Sequence, residues 1–281
     1  MTWWCSARST AWTWSWQAYP GVWILVGLLL AAYLVLERRV GEASPHRRSW
    51  FFGGLATLWI ALDWPIGALG AGYLASVHMV QYLLIALLAP ALLLRGIPEA
   101  AWARLRGFDR PGRPNRPSRA KTAGALRLAT HPLVTLAVFA VVVHYTHLPS
   151  VVDGLMASQW GSFLIDMLWL AGGLLFWWPI VVPVPSRPAF QYPLKMGYLF
   201  VATILNTLPY AFLTFGELPF YGIYELAPPF PGVSTRQDQQ IAGLLMKVGG
   251  GVILWTAITV VFIRWFQRES ADEPKGMGRT A

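Results

Sequence analysis

The sequence predicts an all-α fold, a polytopic bundle of seven transmembrane helices with the N-terminus outside and the C-terminus in the cytoplasm. Three observations carry this expectation. Of the 281 residues, 56% are hydrophobic and only 12% charged, and the mean hydropathy of +0.47 describes more apolar surface than one water-soluble core can enclose. Seven runs come near the ~20 apolar residues that a helix needs to cross the hydrocarbon layer. They cover residues 20–36, 50–64, 73–94, 131–148, 161–182, 194–215 and 239–263. The basic residues, finally, alternate in one sense along these runs. Nineteen Lys and Arg, from Arg38 to Arg279, fall in the loops after spans one, three and five and in the C-terminal tail, against Arg8 and Arg236 on the other side. Short cytoplasmic loops retain Lys and Arg, so this asymmetry sets the orientation.

Each segment has its own signature. The first residues, MTWWCSARSTAWTWSWQAYPG, have no basic n-region ahead of an apolar core, so no cleavable signal is expected. Trp3, Trp4, Trp12, Trp14, Trp16 and Trp23 suggest an interfacial aromatic belt. Cys5, the single cysteine, is expected outside and can form no internal disulfide. Residues 95–130 form a basic cytoplasmic loop whose centre, RLRGFDRPGRPNRPSRAK, is rich in Pro and Gly. The net charge of +9 lies mainly in such loops, which favours contact with anionic lipid over nucleic acid. The whole chain, 1–281, reads as one transmembrane domain without an internal repeat.

Polar residues within the spans gather at the outer end. His78, Met79 and Gln81 lie in the outer half of the third span, and His144 and His147 end the fourth. Residues three apart share a helix face, so His144 can converge with His147, and His78 with Gln81. Asp166 enters the fifth span at a similar depth, and Asp238, Met246 and Lys247 open the seventh. The inner half carries hardly any ionisable group. An ionisable side chain in hydrocarbon costs a few kcal/mol and faces a partner or a water-filled cavity, so this cluster is a candidate site. A Lys247–Asp166 pair would satisfy both charges. The glycines at 172–173 and 249–251 are expected to permit close helix approach.

Several chemistries suit the cluster. Imidazole with thioether suits copper, Cu(I) above all; three histidines also suit zinc; two histidines on facing helices suit an axial haem. The same residues can instead serve only helix packing in a metal-free scaffold. Phosphate-binding glycine loops, a Ser/His/Asp order and the metalloprotease HExxH are not found, and no catalytic activity is expected. Ion transport would call for polar groups through both leaflets.

Four fragments in consistent order, HMVQYLLIALLAPALLLRGIP, HPLVTLAVFAVVVHYTHLPSVVDGLM, LLFWWPI and STRQDQQIAGLLMKVGGGVIL, resemble the CtaG family of cytochrome c oxidase assembly factors, the multi-spanning family tied to caa-type oxidases. The resemblance covers about residues 50 to 263. It implies a multi-pass protein of the bacterial plasma membrane that assembles haem-copper oxidase, with transient copper binding as its presumed role. His78, Met79 and Gln81 match the family's H-M-x-Q, His147 with Pro149 its H-x-P, and Asp238, Gln239, Gly243 and Met246 its D-Q-x-x-x-G-x-x-M. Tyr82 and Asp166 stand where relatives often have histidine. On this resemblance His78 and His147 are the expected copper ligands, with Met79, His144 or Met246 auxiliary, and Asp238, Asp166 and Gln81 support them. The expected partners are membrane lipid, the haem-copper oxidase subunits and a periplasmic or extracellular copper donor.

Overall fold

A computed structural model describes residues 2–107, 124–182 and 191–272, and these are helical with no strand among them. The helices are α1 (Pro20–Val40), α2 (Pro45–Leu62), α3 (Ile66–Gly72), α4 (Ala75–Tyr82), a π-helical segment (Leu83–Leu88), α5 (Ala89–Gly96), α6 (Glu99–Gly107), α7 (124–129), α8 (Pro132–Thr146), α9 (Pro149–Met156), α10 (Gln159–Val181), α11 (Tyr192–Leu205), α12 (Thr207–Phe215), α13 (Gly222–Glu225) and α14 (Thr235–Asp272). Five stretches are long and apolar enough to cross a membrane, and seven if two bent helix pairs each count as one span.

The bends follow from proline. The residue before a proline is pushed out of the helical region. Leu148, directly before Pro149, is extended for this reason, while Asp63, extended at the end of α2, stands two residues ahead of Pro65. α2 and α3 therefore meet at 45°, and α8 and α9 at 73°. Pro209 lacks the N–H that would bond the Leu205 carbonyl, and the sixth span divides at Asn206 into α11 and α12. The third span stays continuous over Ala75–Gly96 but contains the π segment. α1 starts with Pro20 at its first turn and stops at Gly41, whose φ of 102° suits glycine.

The α4–π–α5 span is the hub. It packs against α2, α3, α10 and α14, while α8 lies behind α10, and α11 and α12 lie on α14. Gly173 brings α10 against it: a Cβ there would overlap the Ala86 carbonyl and stand 2.7 Å from Pro90 Cγ. Of the other glycines expected at close approaches, Gly172 and Gly250 are in ordinary van der Waals contact, Gly249 faces only the end of the Leu83 side chain, and Gly251 faces open space.

Three expectations need correction. The N-terminal tryptophans do not all form a belt: Trp14 and Trp16 are exposed, but Trp4 is only 1% exposed and Cys5 beside it is buried too. Buried polar groups there, Asp166 above all, offer the indole N–H a partner that an interface does not. The basic loop 95–130 is helical over α6 and α7, because Glu99-Ala-Ala-Trp-Ala is a good helix former and buries Trp102. Its Pro- and Gly-rich centre, 108–123, lies outside the described residues. The first span, last, continues past its expected end at 36 to Val40 and so takes in Glu37, which is buried, paired with Arg48 at 2.9 Å and accepting from the Ala43 N–H.

Candidate functional site

His78 and His147 come to the same indole. Trp169 is fully buried on α10, with its ring centroid 4.8 Å from His78 and 6.1 Å from His147. Tyr82 completes the cluster, 5.3 Å from Trp169 and edge-on to His147 at 5.1 Å. The local sequence explains each placement. His78 and Tyr82 are four apart on α4 and share a face. His147 caps α8 where Leu148 and Pro149 turn the chain. Trp169 follows Asp166 by three residues, so both face the hub.

The imidazole of His147 is fixed in one tautomer. Its Nδ1 lies 2.6 Å from the Val143 carbonyl, which only accepts, so Nδ1 carries the hydrogen and Nε2 keeps its lone pair. This is how metal-ligating histidines are commonly oriented. The Nε2 atoms of both His78 and His147 are buried and find no hydrogen-bond partner among the described residues. The same holds for Gln81 Oε1, Tyr82 Oη and Ser162 Oγ. A buried polar atom left unpaired costs about 1–3 kcal/mol, and native proteins keep few of them. Five of the eleven such atoms among the described residues fall in this one region, which makes it the candidate site.

A cavity of about 10 Å³ opens beside His78, lined by Cys5, Gln81, Met156, Ser162 and Asp166 among others. Gln81 is held there by its amide, which donates to the Ala61 carbonyl at 3.0 Å. Gly70 leaves the room for it, since a Cβ would overlap Gln81 Oε1. Cys5 donates weakly to the Leu62 carbonyl at 3.4 Å, and burial pushes its thiol well above the ordinary range. Tyr224 donates to the Gly70 carbonyl at 2.6 Å and touches Met156 Sδ at 3.9 Å. Tyr221 donates to the His147 carbonyl at 3.1 Å.

The other expected residues are distributed differently. Met79 and Met246 are buried, but neither lines the cavity. His144 is half-buried and turns its Nδ1 to the Ala140 carbonyl of its own helix at 2.7 Å. Asp166 accepts from Trp4 Nε1 at 2.8 Å. It does not pair with Lys247, whose Nζ donates to Thr207 Oγ1 at 2.9 Å and lies over the Tyr210 ring. The cause is helical phase: Met246 turns inward, so Lys247, one residue on, turns out. Among the described residues no three His, Cys, Asp or Glu side chains converge as a ready metal site.

Asp238 caps a helix and orients no imidazole. It accepts from the Ala75 N–H at 2.6 Å, from the Ser76 N–H at 3.3 Å and from the Ser76 hydroxyl. These are the free donors at the start of the helix that carries His78. Asp238→Ala should therefore lower stability by about 1–2 kcal/mol, the usual cost of a lost cap, with Asp238→Asn in between. Thermal unfolding in detergent checks this, and unchanged midpoints in both variants would remove the cap from the account.

Cys5, Met156, Ser162 and Trp169 were not foreseen at the site. Softness of the ligand atom was a usable signal for Cys5 and Met156; for Trp169 it was the spacing of three from Asp166.

An uncharacterized protein of Mycobacterium bovis is 24% identical over 184 residues, 64% of this chain and 28% of that protein. One of Mycobacterium tuberculosis shows the same values, and one of Mycobacterium leprae is 24% identical over 183 residues, 63% of this chain and 28% of its own. The chain thus spans little more than a quarter of the length of these relatives. No solved structure matches. The sequence model of the cytochrome c oxidase caa3 assembly factors matches residues 27–268, which takes in every helix from the middle of α1 into α14, and the chain belongs to that family.

Proposed function

We propose that the chain binds Cu(I) transiently as cargo and hands it to a haem-copper oxidase subunit during assembly, in the plasma membrane, with the site facing outward and the C-terminus in the cytoplasm. The observation that carries this reading is the pair of buried, unpartnered imidazole Nε2 atoms of His78 and His147 flanking Trp169. Neutral imidazole is a good copper donor, and Cu(I) accepts low coordination. Met79, His144 and Met246 would act, if at all, after local rearrangement. A carrier must also release its ion, and a site short of ligands does so readily. Copper would reach it from a periplasmic or extracellular donor, and the reading needs no chemical catalysis.

Anaerobic titration of the detergent-purified chain should give about one Cu(I) per polypeptide. The His78→Ala, His147→Ala double variant should lose it and should fail to support oxidase activity in cells while remaining in the membrane. Normal oxidase activity with the double variant would overturn the ligand assignment. A second reading is a metal-free scaffold for oxidase subunits. It draws on the absence of three convergent His, Cys, Asp or Glu side chains among the described residues, and a native chain that binds no copper would favour it.

A further inference from the structure

We propose that Cys5 and Met156 join His78 in a buried Cu(I) site roofed by the N-terminal segment. The inference rests on the copper reading and goes beyond it by assigning sulfur ligands, one of them outside the residues matched to the family, which begin at 27.

Cys5, His78 and Met156 line the same cavity of about 10 Å³, the volume of a single water-sized body. Its walls hold polar atoms without partners: His78 Nε2 and Gln81 Oε1, on residues only 4% and 3% exposed. A water or a small ion would satisfy them. The sulfur atoms decide between the two. Thiolate and thioether are soft donors that select Cu(I), while zinc has little use for a thioether. Charge points the same way: Cu(I) would displace the thiol proton of Cys5, which leaves to solvent, so one positive charge replaces another and the copper–thiolate unit is neutral, far easier to bury than a net charge.

The segment that brings Cys5 is fixed in place. The Trp3 N–H donates to Gln159 Oε1 at 2.8 Å, and the Ala7 N–H donates to the carbonyl of Met156 itself at 3.1 Å. These bonds tie the thiol and the thioether into one unit. On the far side, a Cβ at Gly67 would stand 2.9 Å from Cys5 Sγ, so the sulfur lies directly on the backbone there. Two residues far apart in sequence are thereby held at one cavity with an imidazole.

The test is X-ray absorption on the full chain loaded with Cu(I) alone under anaerobic conditions, together with competition against a chromophoric Cu(I) chelator. The native chain should show sulfur and nitrogen in the copper shell. Cys5→Ser, nearly isosteric and still able to donate to Leu62, should lose sulfur scattering and weaken Cu(I) binding at least about tenfold, the cost of losing even an outer-shell partner. Adding Met156→Leu to Cys5→Ser should remove the remaining sulfur. A nitrogen-only shell in the native chain, or unchanged affinity in Cys5→Ser, would overturn this inference while leaving the His78 and His147 assignment standing. Failure of the native chain to bind copper at all would overturn both.

Discussion

Gly173→Leu is expected to be strongly destabilising. α10 meets the π segment with its backbone at Gly173, where any Cβ would overlap the Ala86 carbonyl and crowd Pro90. Pro90 has no N–H to offer that carbonyl in the helical pattern, so the close contact falls on an irregular stretch of the hub. A side chain meeting backbone cannot be accommodated by a rotamer change. The cost should exceed the 1–3 kcal/mol, roughly, of ordinary overpacking. Gly172→Ala is the control, because its Cβ would meet Val142 at no less than 3.4 Å. Thermal unfolding in detergent should show a loss of about 2–4 °C for each kcal/mol in Gly173→Leu and little change in Gly172→Ala. Equal midpoints would mean that α10 does not bear on the hub at this point.

The same glycine pair shows what was legible in advance. Two adjacent glycines in an apolar run mark a close approach, but which of the two makes it depends on helical phase against a neighbour not yet known. Lys247 and Asp166 repeat the lesson. Depth along the span was readable from hydropathy, and depth alone paired them; the rotation of α14 that turns Met246 in and Lys247 out was not. The spans themselves were legible because their length and apolarity are local properties. Their bends were half legible, in Pro65, Pro149 and Pro209, although the bent pairs extended past the expected limits of 50–64 and 131–148.

At the candidate site, the polar residues inside apolar helices stood out, and His78, Gln81 and His147 were singled out for that reason. What stayed hidden were residues whose meaning is tertiary. Trp4 read as one more interfacial tryptophan until Asp166 was seen to accept its N–H. Asp238 read as an imidazole partner, whereas a carboxylate at that depth serves equally well to cap a facing helix. Cys5 and Met156, 151 positions apart in sequence, meet only because α9 turns back by 73° and the N-terminal segment bonds to its last residue.

Trp169 supports both imidazoles, and its removal should separate structure from binding. The side chain is fully buried, stacks obliquely on His78, meets Tyr82 edge-on and donates from Nε1 to Thr146 Oγ1 at 2.8 Å. Trp169→Ala should cost about 3–5 kcal/mol, the range for large aromatic-to-alanine changes in a packed interior. Lost van der Waals contact supplies much of this where lipid replaces water as solvent. Trp169→Phe keeps a ring packed against the histidines and gives up the N–H, so about 1 kcal/mol is expected, one net hydrogen bond. Copper binding should follow the ring and not the N–H: retained in Trp169→Phe, and weakened in Trp169→Ala even at temperatures where that variant stays folded. If Trp169→Ala bound Cu(I) as tightly as the native chain, the indole would be packing only, and the two histidines would be held in position by their own helices through the Val143 carbonyl and the Asp238 cap.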